Sequence, residues 1–160
     1  RQRGKSLTFE PEEIEELVSM NYGDKRVFLL LSLLYPFVDL RNQFHIDHIF
    51  PRSQFKPAQL KKDGFDDDGV ELLRELRDKL PNLQLLEDKE NIQKQATLPV
   101  QWLRNRYPGS NGKGDENAIK DYCDRHDLGQ LPEELKNFQQ FYDKRQATLK
   151  SRIINLINKT

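Results

Sequence analysis

Apolar positions along this chain fall into short clusters whose internal spacing changes from one cluster to the next. Ile14, Leu17 and Val18 recur at helical spacing. Thr8 and the acidic residues Glu10, Glu12 and Glu13 mark the start of that helix, where side-chain oxygens meet unpaired backbone N–H groups. Pro11 is tolerated in a first turn. Gly23-Asp24 breaks the chain before a second helix, Lys25 to Tyr35, which is apolar nearly all round and is expected to be central to the core. Pro36 ends it.

Two short runs, Gln43 to Ile49 and Leu83 to Leu86, read as strands. The segment between them is polar, with Gly64, the acidic run Asp66-Asp67-Asp68 and Gly69 read as a solvated loop. A helix from about Val70 to Lys79 follows, with Leu72, Leu73, Leu76 and Leu80 on one face. Another helix begins near Asp88 and carries Asn91 and Lys94. The remainder is helical: Pro99 to Arg106 around Trp102, a flexible loop from Pro108 to Gly114, a helix from Asp115 to about Arg125, and a last helix opened by Leu131-Pro132-Glu133-Glu134. In that last helix Phe138, Phe141, Leu149, Ile153, Ile154 and Ile157 are the expected buried positions. The pattern predicts one mainly helical α+β domain over 1–160. A helical segment (1–42) precedes a strand–strand–helix core (about 43–96, with an insertion at 52–80) and C-terminal helices (97–160).

Composition narrows the setting. Twenty-six basic and twenty-six acidic residues give a net charge of zero, so any nucleic-acid surface must be a local patch and not a global field. A single cysteine, Cys123, excludes an internal disulfide and a cysteine-built zinc site, which fits a reducing cytoplasm. Arg1 to Lys5 are basic but no apolar stretch follows at once, so no signal peptide is expected. Val27 to Leu34 is too short to span a bilayer, and no membrane partner is expected. The chain does not begin with Met and is expected to be a domain of a longer protein.

The chemistry concentrates in Phe44-His45-Ile46-Asp47-His48-Ile49-Phe50-Pro51. Asp47 offers a charged oxygen to a hard cation, and Asn91 offers a neutral carbonyl oxygen from the following helix. Two protein ligands leave room for waters and a phosphate oxygen. His48 can accept a proton near neutral pH and deprotonate an attacking water. Adjacent strand residues point to opposite faces, so Asp47 and His48 share a site only if the strand bends or ends there. Pro51 makes an ending reasonable. Asn82 then fixes the backbone or ring of the His48 segment, or is a turn residue after Pro81.

His45-Ile46-Asp47-His48-Ile49-Phe50-Pro51, followed by Leu80-Pro81-Asn82-Leu83-Gln84-Leu85-Leu86 and Asn91-Ile92-Gln93-Lys94, resembles the HNH nuclease signature on a ββα-metal motif. The resemblance is to the C-terminal nuclease domain of GmrSD-type (type IV) restriction enzymes and related phage-defence proteins, and covers about Phe44 to Lys94. It implies Asp47 and Asn91 as ligands of one Mg²⁺ or Mn²⁺ ion, with His45 a further ligand candidate on the strand face of Asp47. It implies His48 as general base, Asn82 as the orienting residue and Lys94 at the scissile phosphate, although Lys94 also reads as a plain surface lysine. The implied reaction is DNA hydrolysis, the implied substrate is DNA (modified or phage DNA included), and the implied partner is an upstream nucleotide-binding sensor domain. The last ligand is Asn where the simplest pattern has His. Two other classes stay open: a catalytically silent DNA-binding or docking module, and an RNase on the same motif.

Arg52, Arg104, Arg106, Lys144 and Arg145 are the candidate DNA-backbone contacts, with Lys113, Lys150, Arg152 and Lys159 nearby in the pattern; an ordinary charged face is the alternative. Trp102 with Tyr107 is read as core packing, His126 as structural near a helix end that favours a cation, and Cys123 as non-nucleophilic.

Overall fold

The computed structural model describes residues 10–159. Its architecture is α+β and mainly helical, with one two-stranded antiparallel sheet. Helices α1 (Pro11–Val18) and α2 (Arg26–Leu34) lead into strand β1 (Phe44–His48). The insertion holds α3 (Pro57–Lys62) and α4 (Asp67–Leu76), and a 3-10 turn, Leu80–Asn82, leads into β2 (Leu83–Glu87). Helix α5 (Asp88–Lys94) follows without a break, then α6 (Pro99–Arg106), α7 (Glu116–His126) and the long α8 (Phe138–Asn158). Among the described residues no helix is long and apolar enough to cross a membrane.

Register decides which side chains meet. Phe44 pairs with Glu87, Ile46 with Leu85, Asp47 with Gln84 and His48 with Leu83. Alternation along β2 sends Leu83 and Leu85 into one apolar cluster and Leu86 into another. The first cluster gathers Val18, Val27, Leu31 and Leu80. The second gathers Phe50, Phe55, Leu60, Leu73, Trp102, Leu103 and Phe138. Helix α8 serves both, giving Phe138, Phe141 and Tyr142 to the second and Leu149 and Ile153 to the first. The sheet is therefore a thin septum clamped between two cores, which holds a two-stranded element that would be marginal alone.

Helix starts follow elementary capping. The Asp66 carboxylate accepts the Gly69 N–H at 2.8 Å, so the acidic run is a helix cap and first turn and not a solvated loop. Asp115 caps α7 through Ala118 N–H at 3.2 Å. Glu13 reaches back to the Glu10 N–H at 3.1 Å, and Thr8 lies outside the described residues.

Four expectations are corrected by packing. Helix α2 is not central: Val27, Leu31 and Leu34 are buried, but Leu29 is 61% exposed and Leu33 and Phe28 also face outward, because only the first core meets it, and on one side. Leu72 is exposed, since α4 turns Val70 and Leu73 inward. Ile154 is exposed, while Ile153 one position away packs against the core. The last helix starts at Phe138, not at Leu131. Leu131 and Leu135 both anchor in the second core, and the chain between them passes through an extended Glu134. The insertion also holds an unforeseen helix, α3, whose Pro57 takes a first-turn position and whose Leu60 is fully buried.

Candidate active site

Strand β1 ends at His48, and alternation sends the Asp47 side chain toward Gln84 and Lys94 and the His48 ring toward Asp78 and Tyr22. Asp47 and His48 border one open polar cleft of about 390 Å³ together with His45, Asn91, Tyr22, Arg52 and Gln95. Strand β1 supplies the first pair, α5 the carboxamide, and the α1–α2 connection the tyrosine. Among the described residues the Asn91 side chain makes no hydrogen bond, so its oxygen and nitrogen are free at the cleft.

Asp47 is 8% exposed and sits in a buried polar relay. Its Oδ2 accepts from Gln84 Nε2 at 2.9 Å and lies 3.1 Å from Lys94 Nζ, while Oδ1 is 3.5 Å from the same ammonium. Gln84 Oε1 accepts in turn from the Tyr122 hydroxyl at 3.0 Å. Lys94 Nζ also donates to the His48 carbonyl at 2.9 Å. Each polar group of this relay has a partner, which is what makes its burial tolerable. Lys94 is completely buried, and burial pushes its pKa down against the pull of Asp47. The expectation that Lys94 meets the scissile phosphate is corrected here: its ammonium points into the protein, braces Asp47 and locks the backbone at His48.

The His48 ring is held by two groups, and a third steadies one of them. Its Nε2 lies 2.9 Å from Asp78 Oδ1, and the Tyr22 ring stands over the imidazole with centroids 4.6 Å apart at 35°. Arg52 Nε donates to the same Asp78 oxygen at 3.2 Å. Burial lowers the His48 pKa, with Asp78 and then Asp47 opposing. His45 stands apart from this group: its Nε2 is 2.6 Å from Asp88 Oδ1 at the first residue of α5.

Asn82 is fully buried and contacts the backbone after His48, not its ring. Its Oδ1 accepts the Phe50 N–H at 2.9 Å, and its Nδ2 donates to the carbonyls of Phe50 at 3.0 Å and Arg77 at 2.8 Å. The turn reading and the orienting reading of Asn82 therefore describe the same residue: it sits in the 3-10 turn and pins the strand end.

The basic residues separate. Arg52 is exposed at the cleft. Arg104 is closed in a two-pronged pair with Glu133 at 2.8 and 2.6 Å. Arg106 leans on Glu90 at 3.4 Å and over the Tyr107 ring. Lys144 is exposed. Arg145 is corrected as a DNA contact: it is buried, and its guanidinium donates to the carbonyls of Pro81, Leu83 and His126. That guanidinium also explains His126. It occupies the C-terminal end of α7, so the imidazole stays neutral, its pKa lowered to about 3 by burial and then by Arg145 and Arg125. Cys123 is buried with its thiol pushed up to about 11, and Trp102 packs edge-on against Tyr122.

The sequence reading overlooked Asp78, Tyr22, Gln84 and Tyr122. Gln84 carried a signal, being one polar residue in an otherwise leucine-rich strand. Asp78 and Tyr22 carried none, since each reaches His48 only through long-range packing.

No family model matches the chain, and no curated protein is significantly similar to it.

Asp47 and Asn91 carry oxygen donors, the type a hard divalent cation takes. Both residues border the solvent-open cleft; the Asp47 oxygens face the Lys94 ammonium, and among the described residues the Asn91 carboxamide makes no hydrogen bond. No cluster of three His, Cys, Asp or Glu side chains able to hold a metal occurs among the described residues, so such an ion would keep several waters.

Proposed function

We propose that this chain is a metal-dependent endonuclease domain that hydrolyses DNA phosphodiester bonds, the effector part of a restriction or phage-defence protein. The observation that carries the reading is that Asp47, His48 and Asn91, far apart by kind and partly by position, border one polar cleft. In the proposed reaction His48 takes a proton from water, and the resulting hydroxide attacks phosphorus as the bond to the leaving oxygen breaks. Lys94 and Gln84 hold Asp47 in place, Asn82 fixes the strand end, and Arg52 faces the phosphate from the rim. Asp47 and Asn91 would hold Mg²⁺ or Mn²⁺, which when bound offsets charge on the leaving oxygen. An upstream nucleotide-binding sensor domain belongs to the same proposal.

Supercoiled plasmid with Mg²⁺, with and without EDTA, tests this. Nicking that EDTA abolishes, and that falls roughly 10²- to 10⁴-fold in His48→Ala with the fold retained, is the expected result. Equal cutting by His48→Ala would remove the base from the scheme, and parallel RNA substrates separate an RNase. A silent docking module is the second reading, favoured by the outward apolar residues Phe28, Leu29 and Leu33 of α2. It predicts no cutting under any metal.

A further inference from the structure

We propose that Asp78 is the positioning residue of His48: its carboxylate accepts the proton on Nε2 and holds the imidazole as the Nε2–H tautomer, leaving Nδ1 to take the proton from water. Its place in the reaction rests on the nuclease reading; the tautomer does not.

Three segments remote in sequence are tied together around this ring. The Asp78 carbonyl accepts the Tyr22 N–H at 2.7 Å, Leu80 N–H reaches the Met20 carbonyl at 2.9 Å, and Asn21 bridges Lys79. On the other side Asn82 joins the Arg77 carbonyl to Phe50. The loop carrying Asp78 is thus stitched both to the strand end that carries His48 and to the connection that lays Tyr22 over the ring. Within that frame Nε2 is 2.9 Å from Oδ1. A carboxylate only accepts, so the proton of this bond sits on nitrogen. Among the described residues Nδ1 has no protein partner, and in a neutral ring it is the nitrogen with the free lone pair. Arg52 donates to the same Oδ1 at 3.2 Å, and Arg77 Nε, which has no hydrogen-bond partner, lies 3.8 Å from Oδ2. Two guanidinium groups therefore flank the carboxylate, and Arg52 holds it by a hydrogen bond. A base oriented by a third group is the general logic of activated water and hydroxyl nucleophiles.

Nitrogen-15 spectra of the metal-free protein at pH 8 read the ring directly. The wild type is expected to show the Nε2–H form about tenfold or more over the other, as a charge-assisted bond implies. In Asp78→Ala the two forms should come within about threefold of each other. Asp78→Asn, which keeps the side-chain volume, should also lose the preference, because a carboxamide can turn either its oxygen or its NH₂ toward the ring. In cutting assays kcat should fall roughly 10- to 100-fold with KM within about twofold, a split that a merely structural role would not produce. A wild-type ring in the Nδ1–H form, or an unchanged preference in both variants, overturns the proposal. If the wild type cuts nothing the nuclease reading falls, and the spectra still decide the role of Asp78.

Discussion

Replacing Asn82 by Ala should unfasten the end of β1 at a large cost in stability. The side chain is fully buried and makes three hydrogen bonds at 2.8–3.0 Å, two to Phe50 and one to Arg77. Phe50 is itself fully buried, so its N–H and carbonyl gain little from water when the carboxamide goes. An unsatisfied buried group costs about 1–3 kcal/mol. Three such groups, partly relieved by water entering the vacated space, give a loss of roughly 3–5 kcal/mol. That is a large share of the roughly 5–15 kcal/mol that holds a domain folded. Urea unfolding followed by circular dichroism measures it, with a midpoint shift of about 1.5–3 M at an ordinary slope. A loss under about 1 kcal/mol would show that the strand end is held by something other than Asn82.

Two further predictions concern buried charge. His126 takes a proton near pH 6.5 in the unfolded chain but only near pH 3 in the fold, so between those values the unfolded state binds more protons. Stability is therefore lost as pH falls through that window, by an amount on the order of several kcal/mol. His126→Phe should flatten the stability profile between pH 7 and pH 4, and parallel curves for the two proteins in urea titrations at pH 7, 5 and 4 would refute it. Arg145→Met should destabilise by roughly 3 kcal/mol, because three carbonyls lose their donor. Thermal melts check this, and a variant as stable as the wild type would refute it.

Local rules were enough for much of this fold. Helix starts at Asp115 and Pro99, the strand from Gln43 and the helix at Asp88 all follow from caps, proline and apolar runs, and the structure places them within about one residue. Periodicity failed where burial depends on what lies opposite. The sequence of α2 is apolar on every side, and nothing local says that only the face of Val27, Leu31 and Leu34 meets a core. The lysine at 94 shows the same limit in reverse. A lysine on a polar helix reads as surface, yet Lys94 is buried because Asp47 and the His48 carbonyl wait for it across the sheet. For the site, the residue types Asp47, His48, Asn82 and Asn91 were legible from their string. Their supports were not, since Asp78, Tyr22, Gln84 and Tyr122 act through contacts that no spacing encodes.

The insertion between the strands then acquires a purpose. As sequence, residues 52–80 look like a digression that postpones the return strand. In the fold they place the groups that hold His48. Helix α3 buries Leu60 and α4 buries Val70 and Leu73 in the second core, which anchors the segment. The chain then leaves α4 through Arg77 and Asp78 into the turn at Asn82, with Leu80 fixed to Met20. That exit sets the Asp78 carboxylate on the His48 ring and the Asn82 carboxamide on Phe50 within five residues of each other. A direct two-residue hairpin would pair the same strands but could not supply both groups from its short turn. The length of the insertion is thus matched to its anchors: it must be long enough to bury two helices, so that the exit is rigid when it reaches the strand end.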